Sequence, residues 1–176
     1  GGGALIVARP EIARSLKRPG VKILGAGEAI KGQLGGDVDL TFSATRWSGP
    51  AAFEEAGVKP SDIRYASVYD SFTITVLMQL EDLGFCAKGE GPQFVRDHSL
   101  THDGSFPNNT SGGQLSVGQA GAAGGFIGMV EALRQLCDMA GERQVTNAQL
   151  GLVSGFGMVT YDRCLCTGAV LLGRSA

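Results

Sequence analysis

The chain has 176 residues, which is enough for one domain with its own hydrophobic core. A net charge of -2 at pH 7 and a pI near 5.7 exclude the basic surface typical of nucleic-acid-binding proteins. We see no targeting segment and no apolar run of membrane-spanning length, so we expect a cytoplasmic protein. The four cysteines lack the spacing of a zinc site, and we expect reduced thiols and no bound metal.

The first half of the chain alternates apolar runs with glycine and proline breakers. In chain order these predict a strand at 4–9, a short helix at 11–17, a strand at 21–30 and a loop at 31–45. A helix at 47–57, a strand at 65–69 and a helix at 72–83 follow. Ser48 is a candidate N-cap of the second helix, and Gly57 ends it. The helix at 72–83 has an apolar stripe, which we expect to include Phe72 and Leu80.

The second half begins with a long polar loop, and a long loop in a compact domain is usually functional. A short helix is predicted at 92–97, a glycine-rich stretch at 108–125 and a long amphipathic helix at 126–139. Two strands are predicted at 149–153 and 165–172. Strands that alternate with helices predict a layered α/β fold with a mostly buried sheet.

Three segments, in this order, resemble the C-terminal half of the thiolase superfamily. Residues 67–72 (SVYDSF) stand where thiolases carry Asn-Glu-Ala-Phe and sterol-carrier-protein-X type thiolases carry His-Asp-Cys-Phe. Residues 109–125 (NTSGGQLSVGQAGAAGG) are similar to an Asn-x-x-Gly-Gly block followed by Gly-His-Pro-x-Gly, and residues 150–157 (LGLVSGFG) stand in place of the C-terminal glycine-rich loop. Smaller agreements at 81–91 and 141–145 favour the sterol-carrier-protein-X and lipid-transfer-protein branch.

The resemblance implies a thiolase-like α/β fold whose mixed five-stranded sheet is covered by helices. It assigns residues 1–20 to the last strand and helix of the N-terminal thiolase half, and residues 21–176 to the C-terminal domain. Thiolases hold their nucleophilic cysteine in the N-terminal half, and no residue of this chain corresponds to it. We therefore expect an apolar surface near residues 4–7 and association with the missing half, its subunit or a second copy as a dimer.

The same resemblance places three candidate catalytic residues at the end of the strand at 65–69 and directly after it. Tyr69 holds the position of the family's Asn or His, where a phenol would act as a hydrogen-bond donor or general acid; the alternative is a core tyrosine at a strand end. Ser71 holds the place of a cysteine, although a helix N-cap role is favoured over a catalytic one. Asp70 would share that cap or orient a neighbouring group.

Gln119 takes the place of the histidine in Gly-His-Pro. A carboxamide cannot titrate, but it can donate a hydrogen bond to an oxyanion; the alternative is a polar residue in a solvated turn. Glycines in the two glycine-rich blocks would let the backbone approach an acyl-CoA ligand, or would simply permit tight packing. The candidate ligand-binding glycines are Gly118, Gly121, Gly124 and Gly155.

The resemblance implies an acyl-CoA enzyme, an acyltransferase that makes or breaks a carbon–carbon bond, with a coenzyme A ester as substrate and no tightly bound cofactor. One alternative is a lipid-transfer-type retro-aldolase, a class that shortens steroid side chains with tyrosines as acid/base groups and a DUF35-type partner. Tyr69 fits that class, but Gln119 does not supply a second tyrosine. The other alternative is a non-catalytic subunit that binds acyl-CoA or lipid.

Overall fold

A computed structural model describes residues 3–16, 19–30, 39–160 and 163–175 of the chain. The helices are α1 Pro10–Ser15, α2 Thr45–Ala56, α3 Thr73–Asp82, α4 Gly91–Asp97, α5 Gly113–Val117 and α6 Phe126–Leu136. The strands are β1 Val21–Ile30, β2 Tyr65–Val68, β3 Leu150–Ser154, β4 Gly157–Thr160 and β5 Arg163–Arg174. Short 3-10 turns lie at Pro60–Asp62, Gly121–Gly125 and Gly141–Arg143.

The strands form one sheet in the order β1-β5-β3-β2, and β4 also pairs with β5. The β2–β3 pair is parallel and the other pairs are antiparallel, which confirms the predicted mixed five-stranded sheet. Residues 155 and 156 separate β3 from β4, and both strands pair with β5. The parallel pair is short and its two strands end together, at Val68 and Ser154.

Helices cover both faces of this sheet. Successive side chains of a strand point to opposite sides, so one strand contributes to the core on each face. On one face, Ala66 and Val68 of β2 pack with apolar side chains of α2 and α3. On the other face, Tyr65 packs with Leu136 and other side chains around α6. The two cores bury the middle of the sheet and leave the ends of β2 and β3 to shape a pocket.

Helix α2 packs unusually close to the edge strand β1. Added side chains at Gly25 and Gly27 would overlap the α2 backbone at Ala52 and Ser48. Ser48 is fully buried, and its hydroxyl shares a 2.9 Å hydrogen bond with that of Thr167. The predicted N-cap role of Ser48 is therefore wrong. Helix α2 begins at Thr45, three residues before Ser48, and the Ser48 hydroxyl instead bonds to the sheet.

The predicted strand at residues 4–9 is not formed. Within the described residues this segment pairs with no strand, and an apolar run without a pairing edge leaves its backbone groups to water. Ile6 and Val7 are 92% and 78% exposed, so the apolar surface expected near residues 4–7 is present. Assignment of residues 1–20 to an N-terminal half remains a prediction.

Two expectations about α3 are also wrong. Phe72 is 66% exposed, and the buried side of the helix is formed by Leu80 together with the polar Thr75 and Gln79. The N-cap of α3 is Phe72, whose N–H donates to the Thr75 hydroxyl at 3.2 Å, so Ser71 does not cap the helix. Helical periodicity does not predict the burial of Gln79, because its Oε1 is satisfied by the hydroxyl of Ser154, which lies far along the chain.

Parts of two other expectations fall outside the described residues. These are residues 31–38 of the predicted loop and the end of the first predicted helix, residue 17. Among the helices that the structure describes, none is both long and apolar enough to cross a membrane.

Candidate active site

A pocket lies where β2 and β3 end, between the glycine-rich turn and the start of α6. The pocket is partly open to solvent and offers about 10 Å³ to the centre of a water-sized group. The polar side chains that line it belong to Ser67, Tyr69, Asp70, Asn109, Gln114 and Ser154. The sequence had marked Tyr69 and Asp70, and the fold brings both to this pocket.

Asp70 connects the end of β2 to helix α5. Its carboxylate is buried and accepts hydrogen bonds from the backbone N–H groups of Gln114 at 2.8 Å and Leu115 at 3.2 Å. The first residue of α5 must be glycine, because Gly113 has φ +61° and a side chain there would overlap the Asp70 carboxylate. Asp70 thus orients a neighbouring segment, one of the two roles expected for it.

Tyr69 lines the pocket and contacts Gln119, which lies outside the residues that line it. The Gln119 Nε2 donates a hydrogen bond to the Tyr69 hydroxyl oxygen at 3.2 Å. The phenol ring stacks on Phe156, with ring centres 6.4 Å apart and planes 15° apart. Because the phenol oxygen accepts from Gln119, its own proton remains free to be donated to a ligand.

The backbone of Tyr69 is bound by the side chain of Gln79, which is fully buried in α3. The Gln79 Nε2 donates to the Tyr69 carbonyl at 2.7 Å, and its Oε1 accepts from the Ser154 hydroxyl at 2.8 Å. One side chain therefore ties together the ends of the parallel strands β2 and β3. Helical periodicity does not single out Gln79, although a glutamine among apolar helix positions is an available signal.

Two asparagines fasten the glycine-rich turn to β2. The Asn109 Nδ2 donates to the Val68 carbonyl at 2.7 Å, and its Oδ1 accepts from the Ser67 hydroxyl at 3.2 Å. Asn109 has φ +51°, a left-handed conformation that asparagine tolerates better than most residues. The neighbouring Asn108 accepts from the Val68 N–H at 3.2 Å. The turn is thereby held in register with the strand that carries Tyr69.

Comparison with known proteins decides the family. Residues 27–167 match the family described as thiolase C-terminal domain-like. The chain belongs to the thiolase superfamily. It is 40% identical to a steroid side-chain-cleaving aldolase of Thermomonospora curvata, over 76% of this chain and 35% of the aldolase. It is 38% identical to an acetyl-CoA acetyltransferase of Methanothermobacter thermautotrophicus, over 68% of this chain and 30% of that enzyme.

A solved structure, the Ltp2-ChsH2(DUF35) aldolase, superposes with a TM-score of 0.80 and 33% identity, over 93% of this chain and 42% of that chain. This thiolase C-terminal domain therefore spans about a third of the length of the two curated relatives, 35% and 30%. The predicted superfamily membership and layered fold are both confirmed.

In this thiolase domain the four candidate ligand-binding glycines differ in their surroundings. Gly118 and Gly121 have φ of +106° and +56°, so their backbone conformation requires glycine. A side chain on Gly124 would meet the Gln114 Oε1 at 2.6 Å and the Gln119 Cγ at 2.9 Å. Gly155 donates its N–H to the Gly168 carbonyl at 2.8 Å. Their role toward a coenzyme A ester remains a prediction.

The remaining candidate, Ser71, lies outside the residues that line the pocket. Its hydroxyl is 3.2 Å from that of Thr75 in α3. The described thiols of Cys86, Cys137 and Cys166 also lie outside the lining, and the side chain of Cys164 is beyond the described residues. Within the described residues, no group of three His, Cys, Asp or Glu side chains is placed to hold a metal ion.

Proposed function

We propose that this chain supplies the C-terminal part of the active site of a retro-aldolase that cleaves β-hydroxyacyl-CoA esters. The observation that carries the proposal is the hydrogen bond from Gln119 to the Tyr69 hydroxyl. Gln119 stands at the superfamily's histidine position, and Tyr69 stands at the position of its asparagine or histidine. Thiolysis needs a group that titrates near neutral pH beside the thiol nucleophile. Among the described residues that line this pocket there is neither a histidine nor a cysteine.

The retro-aldol reaction needs fewer catalytic groups from this chain than thiolysis does. A base removes the proton of the β-hydroxyl, the Cα–Cβ bond breaks, and the electron pair passes to the thioester as an enolate. A proton donor then protonates Cα, so the products are a ketone or aldehyde and a shortened acyl-CoA. Tyr69 is the proposed donor, because the Gln119 amide stabilises the negative charge left on its oxygen.

Two of the comparisons support this proposal. A steroid side-chain-cleaving aldolase is 40% identical, and the aldolase structure Ltp2-ChsH2(DUF35) matches along 93% of the chain. The 38% identity to an acetyl-CoA acetyltransferase favours acyl transfer as the second candidate. The name of the aldolase structure also motivates a DUF35-type partner for this protein, which co-purification of the two chains would test.

The test uses the native polypeptide in which these residues occur, with its DUF35-type partner if one co-purifies. Retro-aldol cleavage of a β-hydroxyacyl-CoA and thiolysis of acetoacetyl-CoA are measured side by side. We expect cleavage of the hydroxyacyl ester, and a loss of about 100-fold or more in kcat for Tyr69→Phe. Loss of the Gln119 donor in Gln119→Leu should lower kcat less, because the phenol proton remains.

Tyr65→Phe is the matched control. It deletes the same atom from a tyrosine four residues away, whose hydroxyl is buried and has no hydrogen-bond partner. Thiolysis without retro-aldol cleavage would favour the acyltransferase. Tight binding of CoA esters with neither reaction would favour a non-catalytic subunit. A retro-aldol rate unchanged by Tyr69→Phe would show that Tyr69 is not the proton donor.

A further inference from the structure

Gln114 holds unused hydrogen-bonding capacity inside the pocket. The residue is 7% exposed, and its Oε1 is buried without a hydrogen-bond partner. Among the described residues, two other buried side-chain oxygens share this property, Thr45 Oγ1 and the Tyr65 hydroxyl. Of the three residues, only Gln114 lines the pocket. An unpaired buried acceptor is unfavourable in the free protein, and its retention therefore needs an explanation.

The backbone of Gln114 is held at the start of α5, and its side chain lies beside Gly124. The Gln114 backbone N–H is bound to the Asp70 carboxylate at 2.8 Å, which sets the start of α5. The Oε1 lies beside Gly124, where it and the Gln119 Cγ would lie 2.6 and 2.9 Å from an added Cβ atom. Gln114 therefore lies next to the Tyr69–Gln119 pair, with Gly124 leaving the space between them.

The space that Gln114 faces is small. The pocket offers about 10 Å³ to the centre of a water-sized group, which is room for one such group, for example a hydroxyl. A carboxamide oxygen accepts hydrogen bonds and cannot donate them. Its complement is a ligand O–H, whereas a ketone oxygen is a second acceptor and a methylene group is neither.

We propose that Gln114 is a specificity-determining residue whose Oε1 accepts a hydrogen bond from the β-hydroxyl of the acyl-CoA substrate. The inference rests on the proposed function, which makes a β-hydroxyacyl ester the ligand of this pocket. Gln114 then selects β-hydroxyacyl esters over β-ketoacyl and saturated acyl esters of the same length. Sites with a buried polar group discriminate in this way because the wrong ligand leaves that group unpaired.

The test is Gln114→Met in the native polypeptide, with Gln149→Met as the matched control. Methionine has a similar volume but offers only a weak acceptor. Gln149 is exposed and lies just before β3, at the opposite end of that strand from the pocket. Dissociation constants are measured by calorimetry for 3-hydroxybutyryl-CoA, acetoacetyl-CoA and butyryl-CoA in a Tyr69→Phe background, which the proposed function expects to slow cleavage about 100-fold. Chromatography checks that each ester is intact afterwards. We expect Gln114→Met to weaken the hydroxyacyl ester about 10-fold and the other two less than 2-fold.

A second readout separates this role from a structural one. Gln114→Met removes a buried, unpaired oxygen, so the Tm of the ligand-free protein should be equal to or above that of the parent. A lower Tm would show that the carboxamide has an internal partner, and equal weakening of all three esters would show that it does not recognise the hydroxyl. Either result overturns the inference.

The outcome for the parent protein keeps the two proposals apart. A parent that cleaves hydroxyacyl esters, with unchanged binding in Gln114→Met, overturns the role of Gln114 and leaves the retro-aldolase standing. A parent that binds no CoA ester overturns both.

Discussion

Asp70 illustrates how single residues build the site. Its buried carboxylate receives two backbone N–H groups of α5, and no other side chain offers them an acceptor in the described hydrogen bonds. The helix N-terminus also favours a negative charge at this point. Asp70 therefore positions Gln114 and the glycine-rich turn against the strand that ends at Tyr69.

Asp70→Asn should lower the free energy of unfolding by about 1–3 kcal/mol, because the amide retains one acceptor oxygen and turns an NH₂ group toward the second N–H. Urea denaturation followed by circular dichroism measures the change. Asp97→Asn is the control, since Asp97 is exposed and accepts only from Gln93 on its own helix. Equal stability of the parent and Asp70→Asn would show that α5 does not depend on the carboxylate.

At the scale of elements, the approach of α2 to β1 depends on missing side chains. Gly25 and Gly27 let the α2 backbone lie directly on the strand, and the helix then contacts both β1 and β5. Such contacts are made between backbone atoms, which cannot move aside as a side-chain end can.

Gly25→Ala should therefore destabilise the protein by about 3 kcal/mol, near the upper end of the effect of overpacking. Gly168→Ala on β5 is the matched control, because its added methyl would lie 3.8 Å from the Gly27 carbonyl, an ordinary contact. Thermal unfolding of both variants compares them directly. Equal melting temperatures would mean that α2 shifts freely on the sheet.

At the scale of the whole molecule, one buried carboxylate connects three segments. Glu131 in α6 accepts hydrogen bonds from Thr110 in the glycine-rich turn at 2.8 Å and from Gln135 at 3.1 Å. It also pairs with Arg143 of the 3-10 turn at 3.1 Å. Burial alone would raise the pKa of Glu131, but the hydrogen bonds from Arg143, Thr110 and Gln135 outweigh it and hold that pKa below its ordinary value.

A lowered pKa in the folded state gives a definite direction of pH dependence. The contribution of Glu131 is present above the pKa that it has in the unfolded chain and is lost as pH falls through its folded value. Stability should therefore fall as the solution is acidified below about pH 4.5, and Glu131→Gln should show a shallower fall while being less stable at pH 7.

Chemical denaturation at a series of pH values measures that slope. Glu142→Gln is the control, because Glu142 lies exposed in the same 3-10 turn. Parallel acid slopes for the parent and Glu131→Gln would show that other carboxylates set the acid stability.

Local pattern was enough for the regular elements with strong periodicity or clear breakers. The strand at 21–30, the end of α2 at Gly57 and the amphipathic α6 follow from residues close in sequence, because propensity, turn chemistry and amphipathic spacing act over one or two turns. The motif segments also indicated the family, and they marked Tyr69, Asp70 and Gln119 as candidate site residues, a role that remains a prediction.

Only the tertiary structure decided how those residues are used. It left residues 4–9 without a strand partner, satisfied Gln79 in a buried helix face, and placed Phe156 against Tyr69. It also enclosed Gln114 without a partner. Strand pairing and the burial of polar groups depend on atoms supplied by segments distant along the chain, and hydrogen-bond satisfaction there is a property of the packed molecule rather than of any local sequence.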